Sequence, residues 1–383
     1  MSDQEGLSHK EYSVIPDDQQ EDEDDLPKNV SFKDAVVMNA DWTIETIDSQ
    51  INKGNIDLQP GFQRRAAWDD IRKSRLIESV IVGMPVPNIV LAENKDHRGR
   101  FIVIDGKQRL LSINEFIKGA YTLRGLDMRS DLNDLTYAKL PSADKEYLDN
   151  STIRATVIKN WSDEDFLYAT FFRLNSGSLP LSPQELRKAL IGGKLLESIE
   201  GYLVDSNAFH TTFGEGLDKR MRDSELVLRF IAYDRALMNY RGDFKKFLDD
   251  TTRYYESDWV VGAIDVGERF TRLDNALTTA SAIFGKDCFK KWLGDKYERV
   301  INRAIFDCIA RFFAEPAVAQ AAIAKSADVV LCFKAVCLEP GFKDAVEKTP
   351  KTTGATNSRI ALWGERLANT IGLTFNKDTL RIV

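Results

Sequence analysis

A predicted strand passes directly into a predicted helix within residues 101–116, FIVIDGKQRLLSINEF, and polar residues crowd the junction. The first amide groups of a helix point outward without internal partners, and the helix dipole adds partial positive charge there. Phosphate groups bind readily at such ends. The residues at the junction are Asp105, Gly106, Lys107, Gln108 and Arg109. Together they form a candidate anion site.

Each residue of this junction has its own part in such a site. Gly106 lacks a side chain, so another group can approach the backbone closely. Lys107 and Arg109 bring full positive charge, and an arginine can hold two phosphate oxygens at once. Gln108 can donate and accept hydrogen bonds. Asp105 could cap the helix, orient Arg109 or hold a metal ion beside a phosphate. The same residues also occur at the N-terminus of an ordinary capped helix with polar surface side chains. Local chemistry leaves both interpretations, an anion site and an ordinary helix start, open.

A second polar cluster lies upstream, in LQPGFQRRAAWDD, residues 58–70. It places Gln63, Arg64 and Arg65 shortly before Trp68. The arginines could form a cation–π pair with the tryptophan at the surface. They could equally supply the second side of an anion pocket.

A third cluster, FFRLNSGSLPLSPQELRKA at residues 171–189, places Asn175 at the predicted end of a helix. A helix cap followed by a linker explains the same residues. Ser182, Pro183 and Glu185 then form the capping box of the next helix, so Glu185 is assigned to structure rather than to general base catalysis.

The elements around these clusters follow from hydrophobic periodicity. WDDIRKSRLIESVIVGMPVP predicts a helix that Gly83 ends. Glu78 on this helix is interpreted either as a solvated residue or as one that the family usually has at this position. PNIVLAE and FIVID predict two strands joined by the turn NKDHRG, and IRATVI predicts another strand. Residues 120–150 are predicted to be irregular, and the pattern from about residue 180 onward is almost wholly helical.

Charge and length divide the chain further. The net charge is −7, but residues 1–28 carry ten acidic and two basic side chains, and the rest carries 49 acidic and 50 basic ones. The acidic segment is predicted to be disordered, and the remainder has no global basic field for nucleic acid. No apolar run approaches the roughly 18 residues of a membrane span, and the N-terminus is not a secretory signal, so we expect a cytoplasmic protein without a membrane partner.

The four cysteines lie in the last quarter of the chain, without metal-binding or redox spacing, and are expected to be buried or incidental thiols: Cys288, Cys308, Cys332 and Cys337. The sequence predicts no metal site.

Five ordered blocks resemble the family that forms the N-terminal half of GmrSD-type modification-dependent restriction enzymes, a distant relative of the ParB/sulfiredoxin-like fold. The blocks are FQRRAAW, LIESVIVGMPVPNIVL, IDGKQRLLSINEF, FFRLNSG and LSPQELRKAL, and they cover about residues 42–195. The resemblance implies an α+β protein, in which a ParB/sulfiredoxin-like mixed α/β domain precedes an all-helical C-terminal domain. We therefore predict an acidic tail at 1–28, a nucleotide-handling domain at 29–180 and a helical domain at 181–383.

The family's Asp-Gly-Gln-Gln-Arg (DGQQR) block implies nucleoside triphosphate (NTP) binding and hydrolysis. Carried over, it makes Asp105 and Arg109 the candidate catalytic residues. The candidate nucleotide-binding residues are Gln63, Arg64, Gly106, Lys107, Gln108 and Asn175. Lys107 stands where the family usually has glutamine; it suits a phosphate but leaves the identity of the nucleotide, and the need for Mg²⁺, open.

The HNH nuclease module of such restriction enzymes needs clustered histidines, and this chain has only His9, His97 and His210. His210 is predicted to lie between helices, and HNH nuclease activity is not expected. The sequence favours a nucleotide-binding protein, with hydrolysis left open, of a bacterial restriction or anti-phage defence system. The alternatives are a ParB-like DNA-binding or nicking protein, or a non-catalytic adaptor for a separate nuclease subunit. The oligomeric state is not predicted.

Overall fold

The computed structural model describes residues 35–58, 68–95, 97–161, 166–167, 169–170, 182–218, 220–348 and 350–383. The described residues fall into two compact units, one before Ser182 and one from Ser182 to Val383. The acidic segment, together with Gln63, Arg64 and Asn175, lies outside the described residues.

The N-terminal unit is built on a mixed five-stranded sheet with the order β1-β5-β3-β4-β2. Its strands are β1 (Val36–Thr43), β2 (Ile56–Asp57), β3 (Ile89–Glu93), β4 (Phe101–Asp105) and β5 (Thr152–Lys159). The pairs β1–β5 and β3–β4 are antiparallel, whereas β3–β5 and β2–β4 are parallel. The two strands predicted from PNIVLAE and FIVID, β3 and β4, therefore form a hairpin, and β4 leads into the following helix.

Four described helices accompany this sheet: α1 (Ile44–Asn52), α2 (Asp70–Ile81), α3 (Lys107–Ile117) and α4 (Ser142–Asn150). The Asp69 carboxylate caps α2 by accepting from the Arg72 amide at 2.7 Å. Apolar side chains of α1–α4 and of the sheet form one core cluster.

The prediction of an irregular segment at 120–150 is wrong, because α4 and two 3₁₀ turns, Ser130–Leu132 and Tyr137–Lys139, lie there. Leu148 is the one buried residue of α4, so its sequence lacks the apolar stripe that reveals a helix.

The second unit contains eleven helices among its described residues. They are α5 (Pro183–Leu190), α6 (Lys194–Asp205), α7 (Asn207–Phe213), α8 (Arg222–Ala236), α9 (Phe244–Ser257), α10 (Trp259–Phe284), α11 (Arg303–Phe313), α12 (Pro316–Ala324), α13 (Ser326–Leu338), α14 (Pro340–Glu347) and α15 (Thr353–Ile371). A short hairpin of β6 (Phe375–Asn376) and β7 (Arg381–Ile382) follows α15. The α+β class predicted from the sequence, with a mixed sheet followed by a helical region, is confirmed.

The four cysteines are free thiols, three of them buried. Burial raises the pKa of the Cys288 thiol to about 11 and that of the Cys308 thiol to about 12. Thiols in apolar surroundings are poor nucleophiles, so a structural part fits them. None of the described helices combines the length and apolar composition needed to cross a bilayer.

Candidate functional site

The strand-to-helix junction forms as the sequence predicts, with one difference at its cap. β4 ends at Asp105, Gly106 is the N-cap with φ 93° and ψ 11°, and α3 begins at Lys107. Within the described part of the chain, no side chain caps this helix. Asp105 therefore does not cap α3. Of the three roles predicted for Asp105, the structure shows one, which is to orient Arg109.

Arg109 binds back onto the fold. Its Nη2 donates to Asp105 Oδ2 at 2.8 Å and to the Asn88 carbonyl at 2.9 Å. The side chain is only 14% exposed, and its Nε is buried without a hydrogen-bond partner among the described residues. Arg109 thus ties the end of β4 and the start of α3 to the residue that precedes β3.

Gly106 is needed for a packing reason that the sequence does not reveal. A Cβ there would lie 2.6 Å from Ile89 Cγ2 and 3.2 Å from Arg109 Nη2. Its backbone also lies in the left-handed region that favours glycine. The close approach expected from a ligand is made by Ile89 instead, so any phosphate must meet the amides and side chains of the first turn of α3.

Gln108 connects the junction to the second cluster of the sequence. Its Oε1 accepts a hydrogen bond from the Trp68 amide at 3.0 Å. Trp68 follows the stretch that carries Gln63 and Arg64, so the described chain resumes beside the first turn of α3. Lys107 is half-buried at the first position of that helix. The structure thus brings together five of the eight predicted site residues, Asp105 to Arg109.

No group of three or more histidine, cysteine, aspartate or glutamate side chains among the described residues could hold a metal ion. Magnesium in nucleotide sites is usually held by one or two carboxylates together with the phosphates. Asp105 is the carboxylate of the junction, and its Oδ2 already accepts from Arg109. The described junction therefore offers a divalent cation one carboxylate, which already pairs with Arg109.

The helix α5, at the end of the third cluster, confirms the structural part predicted for Glu185. Ser182 Oγ accepts from the Glu185 amide, and Glu185 Oε2 accepts from the Ser182 amide. Arg187 is buried, and its Nε donates to Asp249 Oδ1 at 2.6 Å. Burial alone would raise the pKa of Asp249, but the charges of Arg187 and Lys245 outweigh it and hold that pKa below its usual value.

Residues 44–192 match the family model described as GmrSD restriction endonuclease, N-terminal domain. Residues 44–192 are thus similar to a GmrSD N-terminal domain. The match runs from α1 through α5 and contains the whole junction. No curated protein and no solved structure is significantly similar to the chain.

The N-terminal unit also holds an open groove with a volume of about 610 Å³. Its lining includes Gly83, Met84, Pro85, Asn88 and Tyr147. Asn88 is the residue whose carbonyl binds Arg109. The groove and the Asp105–Arg109 pair are therefore connected through Asn88.

The histidines within the described chain do not form a nuclease motif. His97 lies in the turn between β3 and β4, in one unit. His210 belongs to the other unit, in α7 rather than between helices, with its Nε2 2.8 Å from the Leu203 carbonyl oxygen. The prediction for His210 missed this helix because it spans only seven residues.

Glu78 of α2 is the residue whose part the sequence misjudges. It is 5% exposed rather than solvated. Its Oε1 accepts from the Met128 amide at 2.7 Å and from the Arg129 amide at 2.8 Å. Its position on the apolar face of α2 could have indicated that Glu78 is buried, because a charge on such a face requires hydrogen-bonding partners.

We expect Glu78→Gln to destabilise the N-terminal unit by about 2 kcal/mol. The glutamine oxygen would accept from the Met128 and Arg129 amides without the negative charge, and its NH₂ group would face the Asp127 amide, which now donates to Glu78 Oε2 at 3.4 Å. Differential scanning calorimetry measures the loss. Glu146→Gln, on the exposed side of α4, is the matched control and should change stability by less than about 0.5 kcal/mol. Equal effects of the two substitutions would show that the hydrogen bonds accepted by Glu78 do not stabilise the unit.

Proposed function

We propose that this protein is a nucleotide-binding component of a bacterial restriction or anti-phage defence system, with the nucleotide phosphates held at the start of α3. The match of residues 44–192 to the GmrSD N-terminal domain supports the link to restriction. The observation that carries the phosphate assignment is the first turn of α3, which begins with Lys107 and which no described side chain caps.

Lys107 argues for an anion by its position. A lysine in the first turn of a helix adds its full positive charge to the positive end of the helix dipole. A phosphate would accept from the amides of that turn and from the lysine together. The Asp105–Arg109 pair would act as a positioning device that fixes the angle between β4 and α3.

Two further parts of the site remain proposals. Gln63 and Arg64 would approach the phosphates from the segment that ends at Trp68, and Asn175 would complete the set that the family motif implies. If the nucleotide is hydrolysed, Mg²⁺ bound to its phosphates would neutralise developing charge, and Asp105 would help to orient water.

A thermal-shift experiment with ATP, GTP, CTP and UTP, each with and without Mg²⁺, tests this proposal. A ligand at a hundred times its Kd stabilises the folded state by about 2.7 kcal/mol, which raises Tm by several degrees. We expect one nucleotide to do so in the wild type, and Lys107→Ala to lose at least half of that rise.

Lys118→Ala is the control, because Lys118 is exposed at the opposite end of the same helix. It should keep the full rise in Tm. Arg109→Ala is less informative, because it also removes the tie to Asn88 and lowers Tm without nucleotide. The proposal fails if no nucleotide raises Tm, or if the two lysine variants respond alike.

A non-catalytic adaptor for a nuclease subunit is the second candidate. It is favoured by three apolar side chains at the start of α10 that are 65–81% exposed, namely Val260, Val261 and Ile264. Exposed apolar patches of this kind mark interaction surfaces. The thermal-shift panel separates the two candidates, because an adaptor without a nucleotide site shows no shift.

A further inference from the structure

Two consecutive helices of the helical unit, α12 and α13, carry little charge. Residues 316–338, PAVAQAAIAKSADVVLCFKAVCL, hold three charged side chains, Lys325, Asp328 and Lys334. The apolar residues of α13 lie all around the helix instead of along one stripe. A helix with this pattern is normally buried on every side. Any apolar side of α13 that is exposed in the single chain is therefore a candidate interface.

One side of α13 packs on the core of the helical unit. Val329, Phe333 and Val336 are buried there. The centroid of the Phe333 ring lies 5.3 Å from that of Trp363 on α15 and 5.2 Å from that of Phe284 on α10. These contacts hold α13 in place, so its opposite side is presented on a rigid element.

The opposite side of α13, called its outer face below, is formed by Ala327, Leu331, Ala335 and Leu338. Their spacings of four, four and three residues place them on one side of a helix. All four are exposed, Leu331 at 66% and Leu338 at 54%. No charged residue belongs to the outer face as defined by these four positions, so covering it removes no ion from water.

The centre of the outer face reads the same in both directions about Leu331. Ala327 lies four residues before Leu331, and Ala335 lies four residues after it. An interface between two identical chains related by a two-fold axis must be complementary to itself. Two antiparallel α13 helices with Leu331 at the axis would place each Ala335 opposite the partner's Ala327. Small residues on either side of the leucine contact let the helix axes approach to about 8 Å.

The area of this surface fits a dimer that forms reversibly. Exposed Ile323 and Ala324 of α12 lie close to the outer face in the chain. At roughly 100 Å² for a fully exposed large aliphatic side chain, these residues and the outer face offer roughly 300 Å² of apolar surface. Apolar atoms make up about 60% of an interface, so each copy would bury roughly 500 Å². The total of about 1,000 Å² lies at the lower limit for a specific interface.

We propose that this protein forms a two-fold symmetric dimer in which the outer faces of two antiparallel α13 helices pack against each other. The small area predicts a Kd in the micromolar range and a dimer in exchange with its monomer. The inference does not depend on nucleotide binding at α3, nor on the apolar patch at the start of α10.

Sedimentation velocity of the full chain, measured from about 1 to about 100 µM, tests the dimer. We expect the wild type to pass from monomer to dimer over this range. Leu331→Asp should weaken dimerisation at least tenfold, because it removes the central contact and brings two carboxylates together at the axis. Its far-UV circular dichroism and Tm at low concentration should match the wild type, because Leu331 is exposed.

Val261→Asp is the matched control, since Val261 is an equally exposed apolar residue, at 65%, on α10. It should dimerise as the wild type does. A wild type that stays monomeric at 100 µM would overturn the proposal and leave the outer face to a different protein. A Leu331→Asp variant that dimerises normally, or equal losses in the two variants, would overturn the assignment to α13.

Crosslinking tests the antiparallel orientation. Ala327→Cys and Ala335→Cys are prepared separately in a Cys332→Ser background, which removes the half-buried thiol of the same helix. In the proposed dimer two copies of residue 327 lie roughly 12 Å apart along the axis, at about 1.5 Å per residue, whereas residue 327 of one copy faces residue 335 of the other. A short bismaleimide should therefore link an equimolar mixture of the two variants several times more than either variant alone. Stronger linking of either variant alone would overturn the antiparallel arrangement.

Discussion

Replacing Asp307 with alanine is expected to lower the free energy of unfolding of the helical unit by about 3–5 kcal/mol. Asp307 is buried on α11, and its carboxylate accepts from Arg229 Nε at 3.0 Å and from Arg229 Nη2 at 2.7 Å. Arg359 Nη2 donates to the same carboxylate at 3.2 Å. One acidic group thus connects α8, α11 and α15.

The expected loss is large because two buried guanidinium groups would keep their charge without that acceptor. Burial alone would lower the pKa of Arg229, but the charge of Asp307 outweighs it and keeps that pKa above its ordinary value. An arginine guanidinium keeps its charge even in a protein interior, so removal of Asp307 would leave buried positive charge with too little compensation, which destabilises the folded state.

Urea unfolding followed by far-UV circular dichroism measures the effect. Asp344→Ala is the control, because Asp344 is 56% exposed and pairs with Lys348 at 2.9 Å on the surface. Exposed ion pairs contribute about 0–1 kcal/mol, so little change is expected there. A loss in Asp307→Ala no greater than in Asp344→Ala would show that the carboxylate does not hold the three helices together.

Replacing Gly106 with alanine is expected to destabilise the N-terminal unit by about 2–4 kcal/mol and to abolish the nucleotide-induced rise in Tm. The backbone at Gly106 has φ 93°, which strains a residue with a side chain. The new methyl group would also lie 2.6 Å from Ile89 Cγ2 in the core. Relief of that overlap must move β3 or the start of α3, where the phosphate is proposed to bind.

Gly99→Ala separates these two causes. Gly99 has φ 81°, but nothing lies within 4 Å of the position of its Cβ. We therefore expect a loss of about 1 kcal/mol from backbone strain alone, measured by differential scanning calorimetry for both variants. Similar losses of stability in Gly106→Ala and Gly99→Ala would mean that the overlap with Ile89 does not destabilise the folded state.

The parts of the fold that could be predicted depend on residues close together in the chain. The capping box of α5 uses Ser182 and Glu185, three residues apart, and the structure has both of its hydrogen bonds. The end of α2 at Gly83 and the β3–β4 hairpin are equally local signals. The helix α4 escaped prediction because its burial depends on one leucine, Leu148.

The candidate site shows the same division. Sequence alone placed Asp105 to Arg109 at a strand-to-helix junction, and left three parts open for Asp105. The structure selects the pair with Arg109 because Asn88, 21 residues earlier, supplies the second acceptor. Glu78 was misjudged because its amide partners lie 50 and 51 residues further along the chain.

The sequence by itself determined the kind of protein this is: a mixed α/β unit followed by helices, the position of the junction and the family blocks. Only the tertiary structure decided that Gly106 faces Ile89 and that Arg109 binds back onto the fold. The physical reason is the range of the forces involved. Caps, turns and periodicity act within a few residues, whereas burial and ion pairing are set by residues that meet only when the chain has folded.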